Sequence, residues 1–133
     1  MVRVTEQFEF SASHRLHCAE LSDEENRKLF GKCNNPRGHG HNYVIEVTVE
    51  GQGDETGRLT SLTELEEVVN KRLIDRFDHK HLNEDTEEFR SLNPTVENIA
   101  QVAWNLLVDG LSSVRLANVR VYVTPKTWAD YAG

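Results

Sequence analysis

Two histidines separated by a single glycine, His39-Gly40-His41, stand just ahead of an alternating apolar segment. Residues two apart on an extended chain project to the same side, so the two imidazoles can converge on one ion, and Gly40 leaves the space between them open. His14, at the end of Phe10-Ser11-Ala12-Ser13-His14, completes a three-nitrogen set if the two segments are neighbours in a sheet. Three imidazoles suit zinc better than magnesium or calcium, and they leave the fourth position open that a catalytic zinc requires. The same side chains could equally be surface or hydrogen-bonded histidines, because a His-x-His pair alone is a weak motif.

Cys33 lies shortly before this pair, in Gly31-Lys32-Cys33-Asn34-Asn35-Pro36-Arg37-Gly38, a loop rich in turn formers. A thiol there is a candidate metal ligand, nucleophile or, once ionised, proton acceptor, and Lys32 and Arg37 would favour the thiolate. It could also be an inert small side chain, the reading that suits Cys18 and His17. Further along, Asp78 precedes His79. A carboxylate can hold an imidazole's orientation and stabilise its charged form, although adjacent residues need a turn to face one another. Lys80 and His81 suit a solvated helix end, where cations complement the dipole, and Glu97 does the same for the first turn of a second helix.

These residues need elements to position them. The 133-residue chain, with 38% hydrophobic and 28% charged residues, fits one domain over residues 1–133. No apolar run approaches a membrane span, and Met1-Val2-Arg3-Val4-Thr5-Glu6 lacks the apolar core of a signal peptide, so a cytoplasmic protein is expected. The balance of 22 Asp+Glu against 15 Lys+Arg, a formal charge of −7, argues against nucleic acid or an anionic membrane as partner unless a local basic patch exists. Two cysteines are too few for a disulfide framework.

Residues 3–10 and 43–50 alternate as half-buried strands. Ser61 and Glu64 form a capping box ahead of a helix over about 61–76 that carries Leu62, Leu65, Val68, Val69 and Leu73. Asn93-Pro94 opens a second helix with Val96, Ile99, Ala100, Ala103, Leu106 and Leu107 on its buried stripe, ended by Gly110. Val119, Val121 and Val123 then mark a third strand, and residues 128–131 a fourth. The order β-β-α-α-β-β predicts an α+β fold, a four-stranded antiparallel sheet with both helices on one face. Its open edges favour pairing with further copies.

Taken in order, Phe10-Ser11-Ala12-Ser13-His14-Arg15-Leu16, Leu21-Ser22-Asp23-Glu24-Glu25-Asn26, Phe30-Gly31-Lys32-Cys33-Asn34-Asn35-Pro36-Arg37-Gly38-His39-Gly40-His41-Asn42-Tyr43, Asp78-His79-Lys80-His81-Leu82-Asn83 and Thr95-Val96-Glu97-Asn98 resemble the 6-pyruvoyl tetrahydropterin synthase family, which includes the 6-carboxy-tetrahydropterin synthases of the queuosine pathway. The resemblance covers nearly the whole chain, and the spacing from Cys33 to His39 favours the pyruvoyl type. It implies a tunnelling fold whose subunits join sheets around a central barrel, commonly as a hexamer of two trimers. It also implies zinc on His14, His39 and His41, Cys33 as proton-abstracting base, Asp78 and His79 as a second proton-transfer pair, and Thr95 and Glu97 at the pterin. The implied reaction, a step of tetrahydrobiopterin biosynthesis, converts 7,8-dihydroneopterin triphosphate to 6-pyruvoyl-tetrahydropterin with elimination of triphosphate. Arg15, Lys32 and Arg37 are candidates for contacts with that triphosphate.

One position departs from the family pattern. Where the family carries a glutamate that accepts hydrogen bonds from the pterin's pyrimidine N–H and amino group, this chain reads Tyr122-Val123-Thr124. Each buried donor left unpaired costs about 1–3 kcal/mol. Glu97 offers partial compensation. Alternatives are therefore a related enzyme with another substrate, as in the carboxy-pterin branch, or a catalytically silent zinc- or pterin-binding homologue.

Overall fold

The computed structural model describes residues 1–133. Strands β1 (Val2–His14), β2 (His39–Gly51), β3 (Lys80–His81), β4 (Arg115–Thr124) and β5 (Thr127–Tyr131) form a five-stranded sheet in the order β3-β1-β2-β4-β5. All neighbours are antiparallel except β3, which runs parallel to β1. The four expected strands are present, and β3 is the addition. It has only two residues, Lys80 and His81, too few to show any periodicity in sequence.

Alternation along β1 and β2 puts Phe10 and Ala12, and Tyr43, Ile45, Val47 and Val49, on one buried face, where Val119 and Val121 of β4 join them. Against that face pack α2 (Leu62–Val69), its continuation through a π-helical turn (Asn70–Ile74) and α3 (Asp75–Phe77), and α5 (Val96–Leu107). Leu65, Val69, Leu73 and Phe77 from the first and Ile99, Ala103 and Leu107 from the second are fully buried. The π turn accounts for an apolar pattern that looked like one unbroken helix.

Two shorter helices, α1 (Asp23–Phe30) and α4 (Leu82–Asp85), complete the fold. Helix α1 was not read from periodicity, yet it carries a complete capping box, with Ser22 accepting from the Glu25 N–H and Glu25 accepting from the Ser22 N–H. The expected box at Ser61 is only half formed: Ser61 Oγ accepts from the Glu64 N–H at 3.4 Å. At α5 the cap is Thr95 rather than Asn93: Thr95 Oγ1 accepts from the Asn98 N–H, while the Asn93 carbonyl accepts from the Thr95 N–H and from the Asn98 side chain. No helix is long and apolar enough to cross a membrane.

Candidate active site

Pairing of β1 with β2 sets His14 opposite His39 and Ala12 opposite His41, so the strands do bring the three histidines to one end of the sheet. His39 and His41 belong to β2 itself instead of preceding it, and they alternate onto the face that buries Tyr43. The ring centroids of His14 and His41 are 4.7 Å apart and those of His39 and His41 4.8 Å. Cys33 arrives from a 3-10 turn (Gly31–Asn34) that is tied to the chain after β1 by the Leu16 N–H donating to the Cys33 carbonyl at 2.7 Å. Its Sγ lies 3.5 Å from His41 Nε2.

The ligand atoms of His14, Cys33 and His41 lie within 4.8 Å of one another, somewhat wider than the roughly 3.4 Å between ligands of a tetrahedral zinc. His39 flanks this group beside His41. His14 is 1% exposed, and its Nε2 is buried without a hydrogen-bond partner, while Nδ1 meets Tyr43 Oη at 2.6 Å. An orphaned buried nitrogen aimed into a group of imidazoles and a thiol is what a metal would satisfy, so these donors fit zinc. Burial, and then the imidazoles of His41 and His39, pull His14 down to about 4. His41 is lowered by burial and then by the imidazole of His39. Both rings are thus held neutral, the state in which imidazole ligates.

The sequence pattern alone makes Tyr43 a strand residue. Burial pushes its phenol above the ordinary range, so it stays protonated beside His14. Its place two residues beyond His41 on the same face was the available signal. Gly38 is a second omission: with φ +91°, an added Cβ would stand 2.9 Å from the His14 carbonyl oxygen and 2.8 Å from His81 Nε2, so only glycine fits without movement. Asn83 is a third, closing a two-way bond with the Arg15 backbone N–H and C=O at 2.8 Å each and so fixing the residue next to His14. It closes the Asp78-to-Asn83 stretch that carries the family resemblance, but neither periodicity nor spacing gives it a role.

Electrostatics at Cys33 differ from expectation. Burial pushes the thiol up, and this outweighs the favouring of thiolate expected from Lys32 and Arg37, both of which are exposed. At the neighbouring positions, the Cys18 backbone N–H donates to Asn26 Oδ1 at 2.8 Å, and His17 Nδ1 meets the Asn34 side-chain amide at 3.0 Å.

Asp78 and His79 do face one another. His79 takes the left-handed conformation, φ 61°, rare for a residue other than glycine, which brings its Nδ1 to 3.0 Å from Asp78 Oδ2. Both are pinned to β1, since the Ser11 N–H donates to Asp78 Oδ1 at 2.9 Å and the His79 N–H donates to the Ser11 carbonyl at 2.6 Å. The Ser11 N–H bond is the main reason that Asp78 stays below the usual carboxylate range. His79 lines a cavity of about 440 Å³ together with His41, Lys80 and His81. His81 is half-buried with Nδ1 unpartnered, not the solvated residue expected past a helix end.

Thr95 caps α5 through its hydroxyl, and Glu97 is exposed in the first turn. Neither lines the cavity above or the larger one of about 660 Å³ bordered by Glu9, His41, Asn42, Val44 and Val123.

A family model for 6-pyruvoyl tetrahydropterin synthase matches residues 3–133. The chain belongs to the 6-pyruvoyl tetrahydropterin synthase family. It is 44% identical over 132 residues to the 6-pyruvoyl tetrahydrobiopterin synthase of Homo sapiens, covering 98% of this chain and 91% of that one. It is 35% identical over 121 residues to the putative 6-carboxy-5,6,7,8-tetrahydropterin synthase of Archaeoglobus fulgidus, covering 91% and 87%. The structure of the Caenorhabditis elegans 6-pyruvoyl tetrahydropterin synthase superposes with a TM-score of 0.90 at 41% identity, covering 99% of this chain and 95% of that one. Within this 6-pyruvoyl tetrahydropterin synthase framework, Val123 is half-buried and packs against the core beside the larger cavity, and its side chain offers no hydrogen-bond acceptor.

Proposed function

We propose that the protein is a zinc-dependent cytoplasmic enzyme that converts 7,8-dihydroneopterin triphosphate to 6-pyruvoyl-tetrahydropterin, releasing triphosphate. The observation that carries this reading is the convergence of the half-buried His41 and Cys33 on the buried His14 in a chain of this family. In this reading His14, His39 and His41 hold the ion, and Tyr43 fixes the ring of His14 so that Nε2 is the ligand atom. Bound zinc supplies Lewis-acid polarisation of the substrate's side-chain oxygens, which acidifies the adjoining C–H bonds.

Cys33 is the base for the first proton. Its burial holds the thiol neutral, so binding of substrate and cation must offset that burial before Sγ can act. Asp78 occupies His79 Nδ1 and leaves Nε2 free at the cavity shared with His41, which suits the pair to a second proton transfer. Thr95 and Glu97, which line neither cavity in one chain, would meet the pterin of a neighbouring subunit in a hexameric assembly. Cys33→Ala should abolish turnover and retain stoichiometric zinc; loss of the metal as well would make Cys33 a ligand instead of the base.

Val123 favours a second reading, an enzyme with the same proton-transfer machinery acting on another substrate, as in the 6-carboxy-tetrahydropterin branch. Product identity after incubation with the triphosphate separates the two.

A further inference from the structure

On the face of the sheet away from the helices, the polar side chains of β1 are tied one by one to β2. Arg3 Nε donates to Glu50 at 2.9 Å, the hydroxyls of Thr5 and Thr48 meet at 2.7 Å, and Gln7 donates to Glu46 and Ser11 to Asn42, both at 2.7 Å. Each pair joins residues directly opposite one another in the two strands. Glu9 is the exception. It stands opposite Val44, whose side chain has no polar atom to offer. Its exposed carboxylate enters none of the ion pairs of the fold, which engage Glu50, Asp78, Glu88, Asp109 and Asp130 instead.

The gap in this series of pairs coincides with the cavity of about 660 Å³ that His41 of the candidate metal site also lines. Val44 is opposite Glu9 on one side and Tyr122 on the other, so the three residues form one row across β1, β2 and β4. Two strand spacings, about 10 Å, separate the outer members of the row. An apolar floor at Val44 therefore has a carboxylate on one side and an aromatic ring on the other, and Trp128 braces that ring with centroids 5.3 Å apart. Glu9 is the one carboxylate in the lining, because Val123, at the register shift between Tyr122 and Thr124, brings no acceptor.

The two oxygens of a carboxylate accept a matched pair of parallel N–H donors. A flat heterocycle with an amino group beside a ring N–H presents that pair along one edge, and its faces suit the apolar and aromatic walls. We propose that Glu9 is the specificity-determining residue of this cavity, its carboxylate accepting from the ring N–H and the amino group of a 2-amino-4-oxopyrimidine. That this heterocycle is the pterin of the substrate rests on the reaction proposed above.

The test is calorimetric titration of the zinc-loaded protein with neopterin and with its lumazine counterpart, in which oxygen replaces the 2-amino group. The parent protein should bind neopterin at least about tenfold more tightly, because the exchange sets an oxygen against the carboxylate. Glu9→Gln, an exposed and nearly isosteric change, should lose about tenfold for neopterin and little for the lumazine. Glu46→Gln, at a position outside the lining, should leave both affinities unchanged. Equal affinities in the parent, absence of saturable neopterin binding, or undiminished discrimination in Glu9→Gln would overturn the assignment. If Glu9 governs discrimination and 7,8-dihydroneopterin triphosphate is not converted, the recognition residue stands and the proposed reaction fails. Conversion by Glu9→Gln with the KM of the parent would do the reverse.

Discussion

His14 concentrates the chemistry of the candidate site. Its Nδ1 is engaged by Tyr43, its Nε2 is buried and unpartnered, and its ring is drawn down to about 4 by burial and two imidazole neighbours. Removing the phenol of Tyr43 should free the ring to rotate and reduce its basicity as a ligand. Tyr43→Phe is therefore expected to lower zinc affinity by about 10- to 100-fold, measured by competition with a chromophoric chelator. Unchanged affinity would show that packing alone orients His14. Much of this residue-scale arrangement was legible: the His-x-His pair, His14 and Asp78-His79 all signal themselves by type and spacing. Tyr43, Gly38 and Asn83 were not, because their roles arise from contacts between segments. Tyr43 meets His14 across the sheet, Gly38 gives way to His14 and His81, and Asn83 binds the backbone of Arg15. The opposing effect at Cys33 was also hidden, since neighbouring charges are visible in sequence and burial is not.

At the scale of elements, the long pairing of β1 with β2 and the helices behind it follow from alternation and helical periodicity. What escaped were elements with little pattern to show: the two-residue β3, held by backbone bonds to β1, and the π turn inside the first long helix. Helix α1 was marked by a capping box, but it is mostly polar, with only Asn26 fully buried, so no apolar stripe announced it. One residue of β1 breaks the pattern from within. Glu6 falls on the inward side between Val4 and Phe8, and its Oε2 is buried without a hydrogen-bond partner. Burial first, and then the Glu66 carboxyl, push Glu6 up to about 7 from 4.5. As pH rises between these values the unfolded chain releases this proton while the folded chain holds it, so the contribution of Glu6 to stability declines through that window and is least favourable above pH 7. Glu6→Gln should therefore melt at a higher temperature than the parent at pH 8 and at nearly the same temperature at pH 4.5. An equal difference at both values would remove the carboxyl pair as its cause.

At the scale of the molecule, β3 and β5 are the edges of the sheet, and the site residues occupy one end of it. Thr95 and Glu97 line neither of the cavities beside His41 in a single chain, and the proposed pocket draws them from a neighbouring subunit. Light scattering on a sizing column should accordingly give the mass of a hexamer; a stable monomer that turns over substrate would contradict that assembly. The family was readable from sequence because the motifs run through nearly the whole chain, and the order of the four long strands and two long helices because each shows its periodicity. Val123 was visible as a departure, and its consequence is chemical. The measurement that bears most directly on the proposed function is incubation of the zinc-loaded protein with 7,8-dihydroneopterin triphosphate and identification of the products by mass spectrometry. A 6-pyruvoyl-tetrahydropterin product with equimolar triphosphate is the predicted result. Substrate recovered intact, from protein with zinc bound stoichiometrically, would contradict it.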